Sequence, residues 1–463
     1  MEGILVLSYG SRAVCTVDSF LNSDNEVRLF IADKQANPFN VKAAEDTGGK
    51  HVVIPDLDVH KILDFAEKYK NQIDFGFVGP EGPIIDGVRD LIEENTEIRM
   101  VCPTGADAIE KSKADQRKLI EEVAPDANPE YQVFHPEVYK GSRRDIKTDL
   151  FSFTAKFNNR VAIKPVKPGF GKGVAVWGDH FTSGKDMFEN YFLSNFKKSP
   201  VIVEEKVEGE EFSVQFISDG KHLVPTPAVR DYKRAWDEDT GPNTGGMGSY
   251  KDTGNVLPFM RRSDWDKAVE MGQKVHEGLK KRASEEGREA GTRGIPEYMA
   301  YICTEDGVKC LEINSRPGDP EWMNVLPILK NDFVDVCYKI LDGNLRNLDF
   351  NPKATVVTYA TPLDYGGYIE KYSGPRKVDL TAAEEFRKEH ADSLKAYPGS
   401  MKGSYALNSR TIAAVGIADS IEDARRLSRG YIMKIDGPLR HRENIGSETH
   451  IELSKNHMNS LRG

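Results

Sequence analysis

Cysteine is scarce in this chain of 463 residues: Cys15, Cys102, Cys303, Cys310 and Cys337 are scattered and odd in number. Such a set builds no disulfide framework and suits a reducing compartment. No Cys-x-x-Cys and no His-x-x-x-His spacing occurs, which argues against a structural zinc site. No run of about 18 apolar residues exists, so no membrane span is expected. The first apolar run, Ile4–Leu7, is too short for a secretory leader core, and no Lys or Arg precedes it. A cytoplasmic location is the expectation. Positive charge is the minority, 63 Lys and Arg against 73 Asp and Glu, for a net charge of -10. That balance argues against a general nucleic-acid binder. It leaves phosphorylated small molecules open, because backbone amides and a few cations suffice to hold them.

What is present is enough apolar material for real cores, 39% hydrophobic against 29% charged. At roughly 150 residues per domain the length suggests about three domains. The first hundred residues alternate. Ile4–Leu7, Val27–Ala32, His51–Ile54, Phe75–Val78 and Met100–Cys102 read as strands; segments from Arg12, over Val59–Lys70 and over Ile84–Glu94 read as helices. This alternation predicts a parallel sheet covered on both faces, with ligands beyond the carboxyl ends of its strands. The loops at Gly10 and Gly79 fall at that edge. From Asp107 the pattern changes: a charged helix over Asp107–Val123, a strand pair Val161–Pro165 and Gly173–Trp177, and a second pair Val201–Glu205 and Glu211–Ile217. A long loop follows over Asp231–Gly254, then a helix over Trp265–Glu286 and a hairpin of Tyr298–Cys303 with Lys309–Asn314. A third unit follows Asp335, with strands Ala354–Ala360 and Arg410–Ile417 and a helix from Ile421. The fold class is multidomain α/β. Its parts are an amino-terminal unit over 1–108, a central α+β unit over 109–332 with a subdomain at about 118–200, and a carboxy-terminal unit over 333–463.

Four segments carry chemistry. Lys164 to Gly173 is a glycine- and lysine-rich loop between strands, able to cradle an anion. It is neither a Walker loop nor a dinucleotide fingerprint. A Lys ending a buried strand needs an anion beside it. The segment Glu204-Glu205-Lys206-Val207-Glu208-Gly209-Glu210-Glu211 reads either as a solvated acidic hairpin or as a hinge whose backbone meets an adenine. Glu312 and Asn314, two apart on a strand, share a face and suit Mg²⁺ together with phosphate oxygens. The run Asp239-Thr240-Gly241-Pro242-Asn243-Thr244-Gly245-Gly246-Met247-Gly248 offers hydroxyls and bare amides to a small carboxylate or phosphate.

In this order the four segments resemble those of ATP-grasp carboxylate–amine ligases, and more narrowly the phosphoribosylamine–glycine ligase family. Val78-Gly79-Pro80-Glu81, Pro103-Thr104, Ser112-Lys113, Asp239–Gly248, Glu312–Glu321 and Arg442-x-x-Ile445-Gly446 carry the likeness across nearly the whole chain. The resemblance implies ATP-dependent ligation of glycine to 5-phosphoribosylamine through glycyl phosphate, in purine biosynthesis. It implies that Lys113 and Lys164 contact ATP phosphates under a lid containing Gly171, Lys172 and Gly173. Glu204, Glu205 and Val207 would line the adenine, and Glu211 would bind the ribose. Glu312 and Asn314 would hold Mg²⁺ or Mn²⁺, and Arg316, Lys233 and Arg234 would counter transition-state charge. Substrates would meet Gly10, Arg12, Gly79, Glu81, Asp231, Asn243, Thr244, Gly245, Gly246, Gly318 and Asp319. The partners implied are small molecules, with no nucleic acid and no membrane, in a monomer or homodimer. Three positions depart from the family pattern: Ala13 and Val14 replace a Glu and a His after the first strand, and Ala300 sits where some members carry a Gln metal ligand. The segment Glu385–Leu407 is also unlike the family. A ligase of the same build for another amine or acid is the alternative that Ala13 and Val14 motivate.

Overall fold

The computed structural model describes residues 1–167 and 173–463. The amino-terminal strands form one parallel sheet in the order Lys50–Val53, Val27–Asp33, Glu2–Ser8, Phe75–Val78, Arg99–Val101. Its first strand alternates between two cores: Ile4 and Val6 pack to one side, Leu5 and Leu7 to the other. Burial on both faces is what the unbroken apolar run encodes. The strand order reverses between Glu2–Ser8 and Phe75–Val78, so the crevice beyond their carboxyl ends lies at a topological switch point. Gly10 and Gly79 stand there. The single helix expected over Ile84–Glu94 is two, Glu81–Ile85 and Val88–Asn95, broken at Asp86 and Gly87.

Two antiparallel sheets follow. One runs Tyr131–Phe134, Val201–Glu205, Val161–Pro165, Ala175–Val176. Its core is aromatic, with Phe134, Phe188, Phe192 and Phe196 packed against it. The other runs Leu223–Pro225, Glu210–Asp219, Arg293–Thr304, Gly307–Asn314. The expected pairing of Val201–Glu205 with the strand after it is therefore wrong: the two lie in different sheets, joined by residues 206–209. Adjacency in sequence favoured a hairpin, but Val201–Glu205 pairs with Tyr131–Phe134 and Val161–Pro165, and Glu210–Asp219 with Arg293–Thr304, partners that no local signal marks. The charged helix begins at Lys113 rather than Asp107. Ser112 caps it, its Oγ accepting from the Asp115 N–H at 3.2 Å.

The expected long loop is also structured. Arg234–Trp236 and Thr240–Asn243 form a small hairpin, and Gly248–Lys251 is a buried strand. Gly248–Lys251 pairs with Ala354–Pro362, about a hundred residues later, so no local signal marks it. The carboxy-terminal sheet thus borrows strands from the central segment: Arg230–Asp231, Gly248–Lys251, Ala354–Pro362, Ile412–Ala418, Leu394–Pro398. That shared sheet holds the glycine-rich run against the carboxy-terminal unit. Among the described residues no helix is long and apolar enough to cross a membrane.

Candidate active site

Strand register sets the first shell. Glu211, Ser213 and Gln215 lie on one face of their strand, opposite Ile302, Ala300 and Tyr298. Glu312 pairs with Ala300 and Asn314 with Tyr298, so all these side chains share one sheet face. Ala300 sits directly across from Glu312, and that neighbour contributes no oxygen. Glu312 Oε1 lies 3.0 Å from Lys113 Nζ. Burial raises the Glu312 carboxyl, but Lys113, Lys164 and Lys233 outweigh it and hold it at about 2. Oriented to donate, the Asn314 amide nitrogen is 3.0 Å from Glu110 Oε1 and 3.2 Å from Glu312 Oε1. Glu312 and Asn314 therefore converge, one of them charged. Among the described residues no group of three or more His, Cys, Asp or Glu could hold a metal. With the amide turned so that its oxygen, not its nitrogen, lies beside Glu312, the carboxylate and the amide oxygen fit a hard cation that completes its shell with phosphate oxygens and water.

Lys164 has its anion, and the chain itself supplies it: Glu204 Oε2 at 2.6 Å. Glu204 also receives Arg117 as a fork, Nε at 2.7 Å and Nη2 at 3.1 Å. Burial raises Glu204, but Arg117 and Lys164 overcome it and hold it at about 2. Burial likewise lowers Lys164 despite Glu204. The Glu204 side chain is thus an internal counter-ion between the two antiparallel sheets, and its backbone is what remains for a base. Glu205 accepts from Lys309 at 2.8 Å. Glu211 is drawn down by Lys233, whose Nζ lies 2.9 Å away. Glu210 points to the opposite face, where it meets Arg230 and His457. Gly171 and Lys172 lie outside the described residues.

Arg316 is half-buried between Glu81 (3.5 Å) and Glu110 (3.7 Å), and its guanidinium sits 5.5 Å over the Tyr298 ring. Its Nε, though near both carboxylates, makes no hydrogen bond. Burial raises Glu110, Arg316 opposes, and the net shift is upward. Arg12 is buried too, donating to Pro317 O and to Glu81 Oε2, each at 2.8 Å. Its fork is committed to the protein rather than free for a phosphate. Gly10 has φ of 80°, and a Cβ there would stand 3.1 Å from Asp319 Oδ2. Only glycine serves at such a corner. Ala13 and Val14 are buried, Ala13 against Gly79, so a Glu and a His would not fit this packing unaltered.

The glycine-rich run folds over these groups. Thr244 N and Oγ1 both donate to Lys233 O, at 2.7 and 2.9 Å. Gly246 has φ of 102°, and a Cβ there would meet Pro320 and Asp231 at 2.6 and 2.7 Å. Asp231 is raised well above the carboxylate range by burial and by Glu321, and its Oδ1 has no partner. Asn243 lies at the end of the hairpin, and Gly318 N donates to Gln215 Oε1 at 2.7 Å. Arg234 contacts other groups: Nη2 to Asp179 Oδ2 at 2.7 Å and Nη1 to Gly241 O at 2.9 Å. Val207 stands in the linker 206–209. The structure thus brings Lys113, Lys164, Lys233, Glu211, Glu312 and Asn314 together, with Arg316, Arg12 and Glu81 beside them. Sequence reasoning missed Arg117, Glu110, Gln215, Tyr298 and Arg410. Glu110 and Arg117 flank the Ser112-Lys113 cap, and charges amid a helix's buried face were the available signal.

Acid lability follows from these pairs. An unfolded glutamate titrates near 4.5, while Glu204, 3% exposed between Arg117 and Lys164, is held at about 2 when folded. Its stabilisation is complete above about pH 4.5 and is lost as pH falls toward 2; the pair at Glu312, a third exposed, is screened by water and adds little. Thermal melts across that window should drop steeply, and Glu204→Gln should flatten the drop. An equal pH slope in wild type and variant would remove Glu204 from the account.

Residues 2–110 match the family model described as phosphoribosylglycinamide synthetase, N domain, and residues 137–322 match its ATP-grasp (A) domain. The chain is 34% identical to a phosphoribosylamine–glycine ligase of Pyrococcus furiosus, covering 100% of this chain and 98% of that protein. It is 36% identical to one of Methanosarcina barkeri, covering 99% and 100%. A solved phosphoribosylamine–glycine ligase from Thermotoga maritima superposes with a TM-score of 0.70 at 21% identity, over 96% of this chain and 100% of that one.

Proposed function

The chain belongs to the phosphoribosylamine–glycine ligase family, and from that premise we propose that it joins glycine to 5-phosphoribosylamine with cleavage of ATP. One observation carries this reading: three lysines and the Glu312–Asn314 pair converge on one sheet face, with Arg316 and the glycine-rich run beside them. In it, the glycine carboxylate attacks the γ-phosphoryl group, giving glycyl phosphate and ADP. The amine of phosphoribosylamine then attacks the acyl carbon and expels phosphate. The protein's task is to position three anionic partners and neutralise their charge.

Lys113 and Lys164 are read as phosphate contacts that exchange Glu312 and Glu204 for nucleotide. The backbone of Glu204, Glu205 and Val207 is read as the adenine edge. Glu312 and Asn314 would hold Mg²⁺ or Mn²⁺, which when bound offsets charge on the phosphates. Lys233 and Arg316 supply further positive charge, whereas Arg234 is held by Asp179 and Gly241; the loops at Gly10–Arg12 and Gly79–Glu81 border the amine. Asp231, Asn243–Gly246 and Gly318–Asp319 border glycine. Five buried, unpaired cysteines suit the cytoplasm as the place of reaction.

Glu211 is the ribose ligand in this reading. Two hydroxyl-to-carboxylate bonds contribute about 1.5–3 kcal/mol each at most. Glu211→Ala should weaken ATP binding about tenfold or more in a nucleotide titration. An unchanged affinity would move the role elsewhere, although Glu210 faces away. The chemistry itself is tested by glycine labelled with ¹⁸O in its carboxylate. Passage through glycyl phosphate transfers one label to each phosphate released; unlabelled phosphate would overturn the acyl-phosphate route.

A further inference from the structure

Asp319 has both carboxylate oxygens occupied by the protein. Tyr359 Oη donates to Oδ1 at 2.6 Å, and Arg410 Nη2 donates to Oδ2 at 3.0 Å. Arg410 Nη1 also donates to three carbonyls: Gly245, Gly246 at 3.1 Å and Asp319 at 3.2 Å. The guanidinium lies 4.7 Å over the Tyr359 ring. Tyr359 and the strand after Arg410 are neighbours in the carboxy-terminal sheet. One half-buried cation therefore ties that sheet to the glycine-rich run and to the turn at Asp319, whose Oδ2 is packed against Gly10.

The geometry is specific to one half of the site. Carbonyls of Gly245 and Gly246 are fixed by Arg410, while the Gly246 N–H donates to Thr244 Oγ1 at 3.1 Å and the Met247 N–H to Tyr232 O at 2.7 Å. Planar peptides pinned from both sides hold a glycine-rich run that would otherwise sample many conformations. Arg410 has no contact with Lys113, Lys164, Glu211 or Glu312 among its hydrogen bonds and ion pairs. Its planar fork suits several acceptors at once, which a lysine cannot match in full.

We propose that Arg410 is a positioning residue for the two substrates other than the nucleotide, acting through the Gly245–Gly246 run and Asp319. The proposal rests on the reading of glycine and phosphoribosylamine as those substrates. The test measures Michaelis constants for ATP, glycine and phosphoribosylamine in Arg410→Gln, Arg410→Lys and Tyr359→Phe. Arg410→Gln should raise the constants for glycine and the amine at least fivefold and leave that for ATP within twofold. Arg410→Lys should recover part of the loss. Tyr359→Phe removes only the hydroxyl that donates to Asp319, so it keeps the fold and should give a smaller rise in the same two constants; it decides the matter if Arg410→Gln does not fold. Equal rises in all three constants, or none, would overturn the proposal. A wild-type enzyme inert toward glycine and phosphoribosylamine would instead overturn the substrate reading.

Discussion

Glu312→Gln should abolish turnover, by more than about 100-fold in kcat, while the fold survives. Loss of an outer partner of a metal ligand already costs 10–100-fold in activity or affinity, and Glu312 is read as a ligand itself. The amide keeps the shape and loses the charge that faces Lys113 at 3.0 Å. The Glu312 side chain is about a third exposed, so the uncompensated Lys113 keeps some access to water and the stability cost stays small. Thermal melts of the variant should therefore sit close to wild type. Near-wild-type rates at saturating Mg²⁺ would make Glu312 an ordinary strand residue and remove the cation site.

Arg117→Met should cost about 3–5 kcal/mol of stability, as breaking one side of a buried ion pair does. Both partners are 3% exposed. Arg117 also donates to Cys310 O at 2.9 Å and Leu311 O at 2.7 Å, so it ties the strand bearing Glu204 to the strand bearing Glu312. The variant leaves Glu204 with Lys164 alone and strands two carbonyls. Chemical denaturation should report the loss, and Glu204→Gln in the same chain should restore part of it, because the unpaired charge is then gone. A loss below about 1 kcal/mol would mean that water or Lys164 compensates, and that Arg117 does not hold the two sheets in register.

The residues of the candidate site that lie near one another were more legible in the sequence than the contacts among them. The parallel sheet was readable because its central strands, Glu2–Ser8, Val27–Asp33 and Phe75–Val78, are apolar on both faces and breaks carry Gly or Pro, as at Gly79-Pro80. Glu312 and Asn314 were readable because strand periodicity puts alternate residues together. The buried strand Gly248–Lys251 was not, since its partner Ala354–Pro362 lies far along the chain and its own residues read as turn formers. Lys164 was recognised as needing an anion, but nothing local named Glu204, forty positions away and in another strand of the sheet. Arg410 was invisible for the same reason: its meaning comes from Asp319 and Gly245, which only the folded chain brings to it. Arg12 was expected to reach toward substrate, and its fork closes on Glu81 and Pro317 instead.

The most direct test of the central claim is a mass-balanced assay of purified protein with ATP, Mg²⁺, glycine and freshly prepared phosphoribosylamine. Glycinamide ribonucleotide, ADP and phosphate should form in equal amounts, and omitting either glycine or the amine should stop all three. Formation of ADP with another amine or acid, and none with this pair, would contradict the account and leave a ligase of the same build with a different substrate.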